Sequence, residues 1–342
     1  MMNVLSVRKT REWTLGLVFL GCVIILWVLS SFLLNDLFEL GTYSKPFLIT
    51  WFNTAAFSLY LIPYFWNKGA RSKDNKTDVT SDDDDEVLFS AGHEDKPPLT
   101  FRETVQLSFW FSILWFTSNF FNNASLLFTS VSSQTILSST SSFFTIMIGY
   151  FLKMESLNNT KVVSLLISFI GVLCVTVNDD PQTTSDPLQS IFVGDILALL
   201  GAVCYGIYSI LLKLKVGDDS RVDMTLFFGF VGVFNTILLW PSLILVNWLG
   251  YETFALPPTS HIWMVLLFNC FISFLADFLW ARAMLLTSPL TVTVGLCLTI
   301  PVAMLCDIIF KFKWNSPVYF LGAILVCISF YFINKNEQES QN

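Results

Sequence analysis

Apolar runs of about 20 residues recur along the chain, with polar stretches between them. A helix needs about 20 mainly apolar residues to cross the hydrocarbon core of a bilayer. The pattern therefore predicts ten membrane spans, at residues 14–34, 45–66, 103–124, 129–152, 160–178, 191–213, 224–248, 262–284, 288–310 and 317–334. Outside them lie an amino-terminal segment (1–13), a long loop (67–102), a loop at 179–190 and a tail (335–342). The fold class expected is an all-α integral membrane protein. The first apolar run follows Arg8, Lys9 and Arg11, is too long for a cleaved signal and lacks a small-residue cleavage site, so it reads as an anchoring span.

The fourth span departs from this pattern. Residues 129 to 145 read TSVSSQTILSSTSSFFT, in which 12 of 17 residues are Ser, Thr or Gln, yet no charge interrupts the run from Arg102 and Glu103 to Lys153. Within hydrocarbon the backbone must satisfy itself, so this segment is expected to be helical, with its side chains facing other helices or trapped water. On a helix Gln134, Ser138, Ser141 or Ser142, and Thr145 share one face. That face reads as the wall of a polar cavity, or else as hydroxyl glue between packed helices.

Composition agrees with a polytopic membrane protein: 54% of residues are hydrophobic, 13% are charged and the mean hydropathy is +0.63, against roughly 25% charged in soluble domains. Orientation follows from Lys and Arg, which concentrate in cytoplasmic loops. With the amino terminus in the cytosol, 15 of the 19 basic residues fall on that side, and Lys45, Lys311 and Lys313 on the other, with Arg282 near the end of span eight. Both termini are thus expected in the cytosol. The net charge of −7 arises largely in the long loop, since ten of 26 acids lie between Asn67 and Glu103, and nothing suggests a nucleic-acid partner.

That loop carries SDDDDE at Ser81 to Glu86 with Pro97 and Pro98, and is expected to be disordered. Ser81 before four aspartates fits an acidophilic kinase, and equally a solvated charge run. Of the three Asn-x-Ser/Thr triplets, Asn75 and Asn158 fall on the cytosolic side and Asn123 lies at the membrane, so no glycan is expected. Seven single cysteines without a CxxC pair, and two isolated histidines, predict neither disulfide nor metal site. No cofactor motif and no catalytic constellation is present, so the chain does not read as an enzyme.

An offset of 158 residues lays Asn119–Lys153 over Asp277–Lys311, with identities at Phe120/Phe278, Leu127/Leu285, Thr129/Thr287, Ser130/Ser288, Thr135/Thr293 and Lys153/Lys311. It superposes span three on eight and span four on nine. Each half then has five spans, and an odd number inverts the second copy in the membrane. Two inverted five-helix repeats place a substrate site near the bilayer midplane, where the copies meet.

Ionisable groups inside spans are costly and by default functional. Asp277 and Arg282 in span eight are the clearest, although Asp277 also reads as a structural carboxylate and Arg282 as a snorkelling cation. Asp307 in span nine lies near its outer end. Asn119, Asn122 and Asn123 in span three suit recognition of a polar solute, or bonding between helices. Tyr205 and Tyr208 in span six flank a stripe of Ala198, Ala202 and Gly206, and read as pathway or packing. Thr293 is the repeat counterpart of Thr135, and Gly295 and Pro301 mark a hinge or a fixed kink.

Three long strings are more specific: TILSSTSSFFT (135–145), KVGDDSRVDMTLFFGFVGVFN (215–235) and DFLWARAMLLTSPLTVTVGLCLTIPVAM (277–304). They resemble the drug/metabolite transporter superfamily, in the F5-like branch of solute carrier family 35, subfamily F. The opening REWTLGLVFLGCVIILWVLSSFL (11–33) resembles fungal vacuolar-membrane members of that branch. The resemblance implies ten helices in two inverted halves, a vacuolar membrane (or the Golgi or another endomembrane) and transport of a small metabolite. Through a thiamine-repressible fungal relative it also makes thiamine a candidate by association. Two departures from the family pattern are Ala276, where a serine is expected before Asp277, and the missing GALNK-type string of nucleotide-sugar carriers in span nine. The expected function is secondary transport of a small polar solute by alternating access. The rival is a membrane scaffold or sensor that recruits partners through its acidic loop.

Overall fold

The computed structural model describes residues 2–39, 45–62, 98–125, 128, 131–176, 188–217, 221–250, 252–311 and 316–341, which are helices and short connections without a strand. Most of the acidic loop, with Asn75 and Ser81, and most of 179–190 lie outside the described residues.

The helices are α1 (Met2–Glu39), α2 (Pro46–Ala55, continuing as a 3-10 turn Ala56–Tyr60), α3 (Phe101–Ser125), α4 (Val131–Ser139), α5 (Ser141–Phe151), α6 (Asn159–Thr176), α7 (Leu188–Val216), α8 (Met224–Trp248), α9 (Ser260–Leu286), α10 (Pro289–Leu296), α11 (Thr299–Lys311) and α12 (Pro317–Gln341). Several begin where the sequence supplies a cap. Thr100 and Glu103 form a reciprocal capping box at α3, with Glu103 Oε2 accepting from Thr100 N at 2.9 Å. Asp223 accepts from Thr225 N at 3.0 Å to open α8, and Ser288 accepts from Thr291 N at 3.1 Å ahead of Pro289 to open α10.

Two predicted spans are broken. Span four divides at Thr140 and span nine at Cys297–Leu298, and at both places i→i−3 bonds replace the helical ladder: Thr140 N to Leu137 O at 3.1 Å, and Leu298 N to Gly295 O at 2.9 Å. In span four the break coincides with a run of hydroxyls. Ser139, Thr140 and Ser142 each donate back to the carbonyl three residues earlier, a pattern that bends helices. In span nine Pro301 removes an amide from the first turn of α11. The two breaks are separated by the same 158 residues as the sequence repeat.

Seven described helical stretches are long and apolar enough to cross a membrane: Thr10–Leu33, Asn159–Thr176, Phe192–Val216, Met224–Trp248, Ser260–Leu286, Pro289–Phe310 and Pro317–Glu339. Of the other predicted spans, span two runs past the described residues, α3 carries several Asn and Ser, and α4–α5 is interrupted and rich in hydroxyls. Large apolar side chains such as Phe151, Trp248 and Phe310 are exposed around the bundle, which suits lipid rather than water.

Close packing relies on small residues, as in membrane bundles generally. A Cβ on Gly171 of α6 would lie 2.8 Å from Gly322 O of α12, and one on Gly322 would lie 2.5 Å from Gly171 O. On the same helix pair Ser329 Oγ donates to Ser164 O at 2.6 Å. The 158-residue offset maps Gly171 onto Ser329 and Ser164 onto Gly322, so one contact is the image of the other. Trp13 Nε1 donates to Asn334 Oδ1 at 2.9 Å, which brings the start of α1 and the end of α12 to one end of the bundle. Gly171→Leu is expected to split the α6–α12 pair and abolish monodisperse elution after detergent extraction. Gly21→Leu, where an added Cβ meets nothing within 4 Å, is expected to elute as the parent does.

Candidate solute site

A cavity of about 290 Å³ lies inside the bundle. Helix α1 contributes Trp27, and α2 with its 3-10 turn contributes Thr50, Asn53, Thr54 and Phe57. Trp115, Ser118, Asn119 and Asn122 come from α3, Tyr205 and Tyr208 from α7, and Ser273, Asp277 and Trp280 from α9. Spacings of three and four on α3 and α9 turn these side chains to one face.

Neighbouring bonds hold the wall in place. Asn119 Nδ2 donates to Trp115 O at 2.8 Å, Ser118 Oγ to Gly201 O at 2.9 Å, and Trp280 Nε1 to the Tyr205 hydroxyl at 3.2 Å. A Cβ on Gly201 would lie 2.5 Å from Asn122 Oδ1, so only glycine lets α7 approach that amide so closely. Ser30 Oγ, Asn269 and Asn53 link α1, α9 and α2, at 2.6 and 3.4 Å. Asp277 forms no hydrogen bond or ion pair with any other described residue.

The cavity brings together five of the residues singled out in the sequence: Asn119, Asn122, Tyr205, Tyr208 and Asp277. The serine-rich face sits behind them. Gln134 Nε2 donates to Ser138 Oγ at 2.9 Å, and Ser138 Oγ donates to Asn122 Oδ1 at 3.3 Å, so α4 supports the wall from its outer side. Ser142 Oγ donates back across the break to Ser139 O, and the Ser141 carbonyl accepts from Thr145 Oγ1. Thr293 is buried and donates to Pro289 O at 2.6 Å. Arg282 is outside the lining, its guanidinium 5.8 Å from the Phe19 ring centre and 5.9 Å from that of Phe278. The side chains of Asn123 and Asp307 lie outside the described residues.

Trp27 and the α2 residues other than Asn53 carry no mark in the sequence, because an isolated tryptophan in an apolar run has no positional signal. Asn53 was the one available clue, an amide within span two.

The two ends of the bundle differ. A second cavity of about 310 Å³ shares Trp27 with the first and is lined by Ser31, Phe32, Thr135, Thr176, Thr299 and Tyr319, towards the end remote from the chain termini. At the end that carries the termini, the floor is aromatic: Phe111 lies 5.2 Å from Tyr208 and 5.1 Å from Phe227 between ring centres, and Tyr208 lies 5.8 Å from Trp280. Beyond it Lys213 Nζ donates to Leu285 O and Thr287 O at the end of α9. Lys161 there pairs with Glu155 at 2.9 Å and with Glu337, and all three side chains are nearly inaccessible.

Glu155 lies in the turn between α5 and α6. Burial and the Glu337 carboxylate push its carboxyl up to about 7, against the pull of Lys161. A folded-state value above the ordinary 4.5 stabilises the fold below pH 4.5, and that contribution disappears as pH rises through 7. The thermal stability of the parent is therefore expected to fall relative to Glu155→Gln between about pH 5 and 7. A difference that stays flat over that window would remove Glu155 as the titrating group.

Comparison with known proteins shows similarity over nearly the whole chain. A family model described as the Triose-phosphate Transporter family matches residues 18–332. The uncharacterized vacuolar membrane protein YML018C of Saccharomyces cerevisiae is 48% identical, with 96% of this chain and 92% of that one aligned. The thiamine-repressible mitochondrial transport protein THI74 of the same organism is 36% identical over 94% of this chain and 91% of its own. Solute carrier family 35 member F5 of Bos taurus is 33% identical over 68% of this chain and 44% of its own. A protein crystal structure 14% identical to the chain superposes with a TM-score of 0.69, over 97% of this chain and 99% of that one, which is a likeness of fold.

Proposed function

The chain belongs to the Triose-phosphate Transporter family, a family of membrane transporters and not of enzymes, and from that premise we propose that it is a secondary carrier of a small polar organic metabolite. Its working cycle is alternating access, with two halves of five spans rocking about the central cavity. The single observation that carries this reading is the cavity itself, bounded by helices from both halves and lined by amides, hydroxyls, aromatic rings and one carboxylate.

Helices broken 158 residues apart, and the Gly171–Gly322 and Ser164–Ser329 contacts that map onto each other, support the inverted repeat and hence ten spans. An aromatic floor and the Lys161 cluster at one end, with a second cavity at the other, match a state closed on the side of the termini. The charge bias of the loops puts that side in the cytosol. The relatives' names divide between a vacuolar membrane and mitochondrial transport, and the higher identity to the former favours the vacuole.

The test is saturable uptake into vesicles reconstituted with the purified chain, over a panel of vitamins, amino acids and nucleosides. Accumulation above protein-free vesicles is expected for at least one class. A protein that accumulates none, yet whose acidic loop captures cytosolic partners, would be a scaffold.

A further inference from the structure

Resting on the carrier reading above, the chemistry of the cavity narrows the solute class. Asp277 is the one charged side chain among the described lining residues. Among the described residues no cation lies beside it: Arg282 lies over Phe19 and Phe278, Lys213 reaches the carbonyls at the end of α9, and Lys161 is held by Glu155 and Glu337. A carboxylate at this depth is expensive unless a positive charge or a proton meets it.

The remaining surface is suited to such a charge. Trp27, Trp115 and Trp280 bring three indoles from three helices, and Phe57, Tyr205 and Tyr208 add three more rings. Phe57 lies 6.2 Å from Trp115, and Tyr205 lies 6.3 Å from Trp280, between ring centres. Trp280 follows Asp277 by three residues on α9, so carboxylate and indole share a face. Aromatic faces attract cations, most strongly when water is excluded. An anion would meet the Asp277 charge with nothing to balance it, and beside a neutral solute the carboxylate would have to take up a proton instead.

The geometry points to a small organic cation with one or two aromatic rings as the solute, its positive charge opposite Asp277 and its ring plane among the indoles. A cavity of about 290 Å³ limits the solute to that size. The Asn119 and Asn122 amides face it as hydrogen-bonding partners for polar substituents.

Three isosteric probes separate the charge classes: N1-methylnicotinamide (cation), nicotinamide (neutral) and nicotinate (anion). Each is titrated against the intrinsic tryptophan fluorescence of the full chain in nanodiscs, then offered to reconstituted vesicles. The cation is expected to bind saturably and at least tenfold more tightly than either isostere. Asp277→Asn is expected to cost the cation tenfold or more and leave nicotinamide unchanged, while Asp277→Glu retains the preference. The ranking of the three probes on the parent needs no variant, so it stands even if Asp277→Asn fails to fold. Equal binding of the isosteres, no saturable response to the cation, or an Asp277→Asn protein with the parent's cation affinity would each overturn the assignment. Binding without vesicle uptake would instead overturn the carrier reading and leave the cation site. Uptake of neutral or anionic solutes that is blind to Asp277→Asn would do the reverse.

Discussion

Lys161→Met is expected to prevent stable folding. The lysine is nearly inaccessible at the start of α6 and holds Glu155 from the α5–α6 turn and Glu337 from α12. Removing it leaves two carboxylates facing each other out of contact with water, and breaking a buried pair in this way costs about 3–5 kcal/mol. The cluster ties α6 to α12 at the end where both termini emerge, so the damage is expected to reach the whole helix pair. Thermal unfolding in detergent micelles is the readout, with abundance in the membrane fraction as a second. The loss is expected to be much smaller when Glu155→Gln and Glu337→Gln accompany Lys161→Met, because the uncompensated charges go with the cation. If the triple variant is no more stable than Lys161→Met alone, the cost arises from packing of the lysine stem and not from charge.

Ser138→Leu is expected to lower solute uptake tenfold or more while the protein accumulates normally. Ser138 stands between Gln134 and Asn122, at 2.9 and 3.3 Å, and Asn122 lines the cavity. Leucine at this place both removes the bonds and pushes the amide into the solute's space. Ser138→Ala removes only the hydrogen bonds, worth about 0.6 kcal/mol each between membrane helices, and is expected to transport nearly as the parent does. Initial uptake rates normalised to protein in the vesicle membrane make the distinction. A Ser138→Leu protein that transports normally, or one that fails to accumulate, would reduce the residue to a packing element.

Hydrophobic runs in the sequence place most helices within a few residues, since an apolar stretch of fixed length has one way to satisfy its backbone in lipid. Span seven, predicted at 224–248, is Met224–Trp248 in the structure. The break at Leu298 lies between Gly295 and Pro301, which mark a hinge or kink in the sequence, whereas the break at Thr140 was not legible, because hydropathy does not register a local change from i→i−4 to i→i−3 bonding. For the site, intramembrane amides and charges pointed to Asn119, Asn122 and Asp277, as the cost of burying them implies. Among the hydroxyls of 129–145, those of Ser139, Thr140, Ser142 and Thr145 bond to carbonyls three or four residues earlier, while that of Ser138 reaches Asn122. A hydroxyl can be satisfied by the preceding turn, whereas an amide or a carboxylate cannot be so easily, and so the latter are the better markers of a cavity. Trp27, Trp115 and Trp280 are not legible as a group in the sequence, because their aromatic grouping exists only once three helices have come together.

The carrier account is tested most directly by side-specific labelling of one cavity position. Ser273→Cys, placed in a chain lacking its seven native cysteines, is exposed in oriented vesicles to a membrane-impermeant thiol reagent on either face. The account predicts labelling from the face opposite the termini in the absence of solute, and a shift towards the face of the termini when transported solute is added, with access from one face rising as the other falls. Simultaneous access from both faces would mark an open pore, and a cavity closed to both under every condition would mark a scaffold; either result would contradict alternating access.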